Sequence, residues 1–221
     1  MNQQIFALFK KDLLSEVRTR YAINSLVMFV IVTISVILFS VGNETIAPNL
    51  AGGLFWVVVF FTAMSGLARV FVTEEERGTT LTLRLLAKPS SIYLGKLLFN
   101  VALIFSMNIV IAALYSAAFD SFVIKSKDVF IVTFILGNFG IAAASTILAA
   151  IIAKASSKGT LYPVLSFPIL LPLILILINV TKSCIDGTSF VESQVELLIL
   201  VCYNIMMITA SLLLFDFIWK D

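Results

Sequence analysis

Six apolar runs occupy most of this chain, at 22–41, 50–72, 97–119, 129–153, 161–180 and 195–218. A helix of about 20 residues crosses a hydrocarbon core of about 30 Å, and each run is long enough to do so. Backbone in lipid must satisfy its own hydrogen bonds, which leaves helices or closed barrels. The runs do not alternate at period two, as barrel strands would. Of 221 residues, 60% are hydrophobic and 13% charged, against roughly 25% charged in soluble domains. A chain of this size has too little interior to hide so much apolar surface from water. The sequence predicts an all-α integral membrane protein with six transmembrane helices.

Lysine and arginine set the expected orientation. The N-terminal segment carries Lys10, Lys11, Arg18 and Arg20, and the loop 42–49 carries none. Arg69, Arg77, Arg84, Lys88 and Lys96 lie in or beside the next connection, and Lys154 and Lys158 lie in the fourth. Placing both termini in the cytoplasm puts twelve positive residues inside and only Lys125, Lys127 and Lys182 outside, the bias that fixes topology. Trp219 and Lys220 are expected to anchor the last helix end in the interface. The apolar run begins only after Tyr21 and no small-residue cleavage site follows it, so the first span is expected to be retained. In residues 2–20, Ile5, Phe6, Phe9, Leu13 and Val17 recur at helical spacing beside basic residues. This segment is an amphipathic helix lying in the interface, or else a cytosolic extension of the first span. With no internal repeat and no linker, residues 1–221 are expected to form a single membrane domain.

Several kinds of chemistry lack their residues. There is no histidine, which removes the commonest general base, metal ligand and haem ligand. A phosphate-binding loop needs Gly-x4-Gly-Lys-Ser/Thr. Near Gly95-Lys96, Ser90 replaces the first glycine and Leu97 follows the lysine. No catalytic residue, metal site or cofactor site is assigned, and no basic tract suggests nucleic acid. No charged residue sits at mid-depth in a span, which argues against an ion-coupled carrier. Asn108, Asn138 and Asn204 read as interhelical hydrogen-bonding groups rather than as a substrate site. Gly140, Ala144, Ser145, Ala149 and Ala153 are small residues at a close-packing spacing, suited to packing within one subunit or to a subunit interface. Pro163, Pro168 and Pro172 should kink or break the fifth span. The result is either a static kink, or a hinge or pathway-lining gap. Cys184, in an outer loop, and Cys202, in the last span, are too few for a disulfide framework and are expected to be free.

Between the second and third spans stands "EEERGTTLTLRLLAKP" (74–89), dense in charge. It is either solvated loop or a surface built to be gripped. Thr73 and Glu76 fit a capping box, and acids suit a helix start. Gly78 permits a turn at positive φ. Thr79 or Thr80 can cap a short helix carrying Leu81, Arg84 and Leu85. Lys88-Pro89 ends it, and Ser90 or Ser91 can cap the next span.

The run "EEERGTTLTLRLLAKPSSIYLGK" resembles the cytoplasmic segment of ABC-2-type transporter permeases. There, an acidic run leads into Gly-Thr, a leucine-rich short helix, a proline and a Gly-Lys opening the third span. "LSFPILLPLIL" and "GGLFWVVVFFTAMSGLARVF" are similar to the fifth and second spans of the CcmB family, haem exporter protein B of cytochrome c maturation. The resemblance covers nearly the whole chain, with the doubled Thr79-Thr80 as one departure. It implies a non-enzymatic permease subunit in the bacterial inner membrane, forming a homodimer. It also implies a separate cytoplasmic ATPase (CcmA-like) that binds ATP, companions like CcmC, CcmD and CcmE, and haem as cargo. The ATPase-coupling residues would be Glu75, Arg77, Gly78, Thr79, Leu81, Arg84, Leu85, Lys88 and Pro89 in the segment 73–96, and the hinge residues Pro163, Pro168 and Pro172. The alternatives are an ABC-2-type permease exporting a lipid, drug or glycan, and a non-transporting membrane scaffold.

Overall fold

A computed structural model describes residues 2–42, 46–67, 69–154 and 158–220. Its elements in chain order are α1 (Asn2–Thr19), α2 (Tyr21–Val41), α3 (Pro48–Gly66), α4 (Arg69–Glu76), α5 (Thr80–Leu86), α6 (Pro89–Ala118), α7 (Lys127–Ala153), α8 (Lys158–Asp186) and α9 (Gln194–Lys220). Among the described residues there is no strand, and six helical segments are long and apolar enough to cross a membrane. The expected spans are all present. The third begins earlier than its apolar run, at Pro89, and the fifth continues to Asp186, which puts Cys184 inside a helix rather than a loop.

α7 is the centre of the bundle and packs against α3, α4, α6, α8 and α9. In its most apolar stretch 78% of residues are buried, against 17% for α2. Small residues make this possible. A Cβ on Gly137 would lie 2.8 Å from Leu177 and 2.9 Å from Trp56, and one on Gly140 would lie 2.8 Å from Leu173. Gly140, Ala144, Ser145, Ala149 and Ala153 are all buried inside the chain, so the small-residue stripe serves packing within one subunit. Asn108, Asn138 and Asn204 bridge helices as expected, and Asn100 does so as well. Asn108 donates to Asn138 at 2.7 Å, Asn100 to Thr146 at 2.9 Å, and Asn204 to the Leu136 carbonyl at 3.1 Å.

The expected break in the fifth span is not found: α8 runs unbroken through Pro163, Pro168 and Pro172. All three prolines are exposed, on the outside of the bundle. Neighbouring hydroxyls bond carbonyls of this helix: Ser166 donates to Tyr162, and Tyr203 donates to Ile169 at 2.9 Å. Both cysteines are free, Cys184 buried and Cys202 exposed.

Trp219 is not an interfacial anchor. It is buried, stacked on Phe215 at 5.3 Å and close to Phe71 at 5.9 Å. The side chains of Lys158 and Lys220 lie outside the described residues.

Candidate functional site

The short helix α5 and its supports occupy one end of the bundle. α4 ends in three acids, Glu74, Glu75 and Glu76, at the wrong pole of the helix dipole for negative charge. The expected capping box is absent. Thr73 lies inside α4 and donates back to the Arg69 carbonyl at 2.9 Å, so the acids close a helix rather than open one. Gly78 adopts φ 65°. The Thr79 amide bonds the Glu74 carbonyl at 3.0 Å and the Gly78 amide bonds the Glu75 carbonyl at 3.1 Å. This pair of bonds is a Schellman closure, which needs a left-handed residue at the glycine position.

The turn reverses the chain into α5. Thr79 is the residue before the helix, yet its hydroxyl does not cap it; it points back and donates to Glu74. Thr80 donates to Glu75 at 2.7 Å. α5 ends at Leu86. Lys88 then takes an extended ψ of 145° and Pro89 opens α6 at its first turn. Proline suits that position because its missing N–H would have no partner there anyway. Ser90 and Ser91 lie inside α6 and do not cap it.

α5 has one anchored side and one bare side. Leu83 is buried, and the Arg84 guanidinium lies over the Trp219 ring at 5.6 Å. Leu81, Leu85 and Leu86 point away and are 71%, 87% and 70% exposed. Glu75, Arg77 and Lys88 are exposed around them. The structure thus brings the expected coupling residues to one surface, except that Thr79 turns inward and Arg84 is half-covered by Trp219.

Beneath this surface lies a charge cluster that the sequence did not disclose. Lys96, on α6, is 1% exposed. Its ammonium lies 2.9 Å from Asp12 of α1 and 2.7 Å from Glu74 of α4. Lys11 also bonds Glu74 and lies 3.5 Å from Asp12. Two cations meet two carboxylates, so the cluster is neutral, and it ties three helices together where α4 turns into α5. Burial of each charge is offset by ion pairs and by the Thr79 hydroxyl, as buried ions require.

α1 reaches this position because α6 carries Gly95. A Cβ there would stand 2.8 Å from the Leu8 Cβ and 3.2 Å from the Ile5 carbonyl. α1 therefore crosses α6 directly over that glycine, burying Leu8 and Asp12 while Phe6, Leu13 and Val17 stay exposed. The apolar face expected of α1 is real, but its inner edge, one strip over, is what packs. The available signals were weak ones: Leu8 and Asp12 four apart on a helix, and a lysine embedded in the apolar turn "GKLLFNV".

Nearly all of this arrangement falls in the region matched by the model of the family described as CcmB protein, which spans residues 3–218. The chain belongs to the CcmB family. No curated protein matches it. CcmB-family members are transport permeases rather than catalytic enzymes, and membership implies work alongside other Ccm proteins in haem export. In this CcmB-family chain, α5 presents exposed leucines, with the ion cluster behind it.

Proposed function

We propose that this chain is the permease subunit of an ABC-type haem exporter complex in cytochrome c biogenesis, with ABC-2-type architecture and α5 as the contact for a separate ATPase. The observation that carries the reading is the exposure of Leu81, Leu85 and Leu86 on a helix held from behind by Leu83 and Arg84. Three leucines presented to water cost about 25 cal/mol per Å² of apolar area, so they are stabilised by a covering partner. The charged rim of Glu75, Arg77 and Lys88 gives that partner an orientation.

In this reading both termini are cytoplasmic in a bacterial inner membrane, α5 faces a CcmA-like ATPase that binds the ATP, and two permease copies pair. CcmC-, CcmD- and CcmE-like proteins receive the output, and haem is the cargo. The cluster of Lys11, Asp12, Glu74 and Lys96 passes displacement of α5 to α1 and α6, because a neutral buried ion network resists being pulled apart. The prolines of α8 supply the hinge.

Leu85→Glu tests the docking. It puts a charge on the most exposed of the α5 leucines without touching the core. The expected result is loss of the ATPase in pull-down from native membranes, with c-type cytochrome yield falling in parallel. Normal pull-down and normal yield would refute the proposal.

A further inference from the structure

α5 rests on the last turn of α9. The Arg84 guanidinium lies over the Trp219 ring, 5.6 Å from its centroid. Helix ends usually fray, yet Trp219 is only 6% exposed. Phe215, one turn earlier, stacks on it at 5.3 Å with the two rings 19° apart. Phe71 of α4 and Tyr93 of α6 each lie 5.4 Å from the Phe215 ring. Phe71, Tyr93 and Phe215 are all buried. The Lys96 ammonium lies 5.9 Å from the Phe71 ring. An aromatic block thus stands between Arg84 of α5 and Lys96 of the ion cluster, and α4, α5, α6 and α9 meet at it. Close-packed blocks of this kind transmit strain rather than absorb it.

α9 leads away from the block as a plain rod. Residues 194–220 contain neither glycine nor proline, the usual sources of a kink. From Phe215 back to Asn204 is about 17 Å of helix at 1.5 Å per residue. There Asn204 donates to the Leu136 carbonyl of α7 at 3.1 Å, and Tyr203 donates to the Ile169 carbonyl of α8 at 2.9 Å. Both acceptors lie within spans, where no water competes for them.

We infer that Arg84 and Trp219 form a joint that couples α5 to α9, and that α9 carries displacement of α5 to α7 and α8. Trp219 is a positioning residue: it acts by fixing α5 against α9. Arginine suits the joint because its planar, weakly hydrated guanidinium stacks on an aromatic face. This route is distinct from the ion cluster, which ties α4 to α1 and α6. The inference rests on the docking reading for what pushes α5, while the joint itself rests on the packing alone.

The test compares Trp219→Leu, which removes the ring face, with Trp219→Phe, which keeps one at similar bulk. Hydrogen–deuterium exchange over residues 80–86 is followed by mass spectrometry on the full chain in mild detergent. Exchange should be roughly tenfold faster in Trp219→Leu, the factor that a partly buried cation–π contact carries, and less than about threefold faster in Trp219→Phe. Arg84→Met keeps the unbranched stem on the half-exposed side of α5 and tests the same contact without disturbing the core. It should match Trp219→Leu, and the double variant should exchange no faster than either single. In cells, Trp219→Leu and Arg84→Met should still bring down the ATPase, because Leu81, Leu85 and Leu86 are left in place. The c-type cytochrome yield should fall severalfold, and Trp219→Phe should recover most of it. Equal exchange in the leucine and phenylalanine variants, or single effects that multiply in the double, would overturn the joint. Normal yield with a loosened α5, or loss of the ATPase together with the yield, would overturn transmission through α9. The exchange comparison needs no ATPase, so failure of the joint is told apart from failure of the docking reading, which Leu85→Glu tests.

Discussion

The ion cluster gives the sharpest test of how this fold is held together. Lys96→Met keeps the volume and the packing beside Phe71, whose ring lies 5.9 Å from the ammonium, and removes only the charge. Asp12 and Glu74 then share a buried site with Lys11 alone, leaving one uncompensated negative charge. Breaking a buried pair by deleting one partner costs about 3–5 kcal/mol. Lys11 is 46% exposed and still screens the site, so about 3 kcal/mol is the expected loss. Glu74→Gln errs in the other direction, leaving one positive charge in excess that Lys11 carries to water, and should cost about 2 kcal/mol. The double variant restores neutrality with Lys11 against Asp12. Its loss should therefore fall at least about 2 kcal/mol short of the sum of the singles, near the top of the range for directly coupled residues. Unfolding of the detergent-solubilised chain, followed by the fluorescence of Trp219 beside Phe71, measures all three. Losses that add to within about 0.5 kcal/mol would show that the three helices are not joined through these charges.

Three further outcomes follow from the geometry. Gly78→Ala places a side chain at φ 65° and should cost about 1 kcal/mol by thermal unfolding, with Gly78→Asn costing less, because asparagine tolerates that region. Gly95→Val drives a side chain into Leu8 and the Ile5 carbonyl; α1 should lift from α6 and become open to protease, while α6 to α9 stay helical by circular dichroism. Replacing Pro163, Pro168 and Pro172 with alanine restores backbone donors on the exposed side of α8. Thermal stability should hold or rise while c-type cytochrome yield falls, and unchanged yield would remove the hinge from the proposal.

Much of the exposed α5 surface could be read along the chain. Gly78, Leu81, Leu85 and Pro89 each act through local rules: a left-handed turn, helical spacing, and a ring that starts one helix after another has ended. The errors also have local causes. Thr73 and Glu76 fit a capping pattern, but α4 already runs from Arg69, and a pattern four residues long does not know which side its helix lies on. Proline was expected to kink or break α8 because its missing donor is costly in isolation, and it is the break that is not found. In the bundle all three prolines lie on the exposed side of α8, and the helix runs on through them. Trp219 looked like an anchor because it sits at a helix end; Phe215 of its own helix, Phe71 of α4 and Arg84 of α5 surround it instead.

The sequence by itself determined the solvent, the number of spans and the place of the short helix between the second and third. These follow from apolar run length, charge bias and turn residues, all properties of neighbours along the chain. Only the tertiary structure decided that Asp12, Glu74 and Lys96 share one buried site. Their contacts span 22 residues or more of sequence, and no periodicity reports a pairing that depends on two helices crossing over Gly95. An isolated lysine or aspartate in a sequence looks like surface. It becomes a joint only when a fold removes water from around it and supplies the opposite charge.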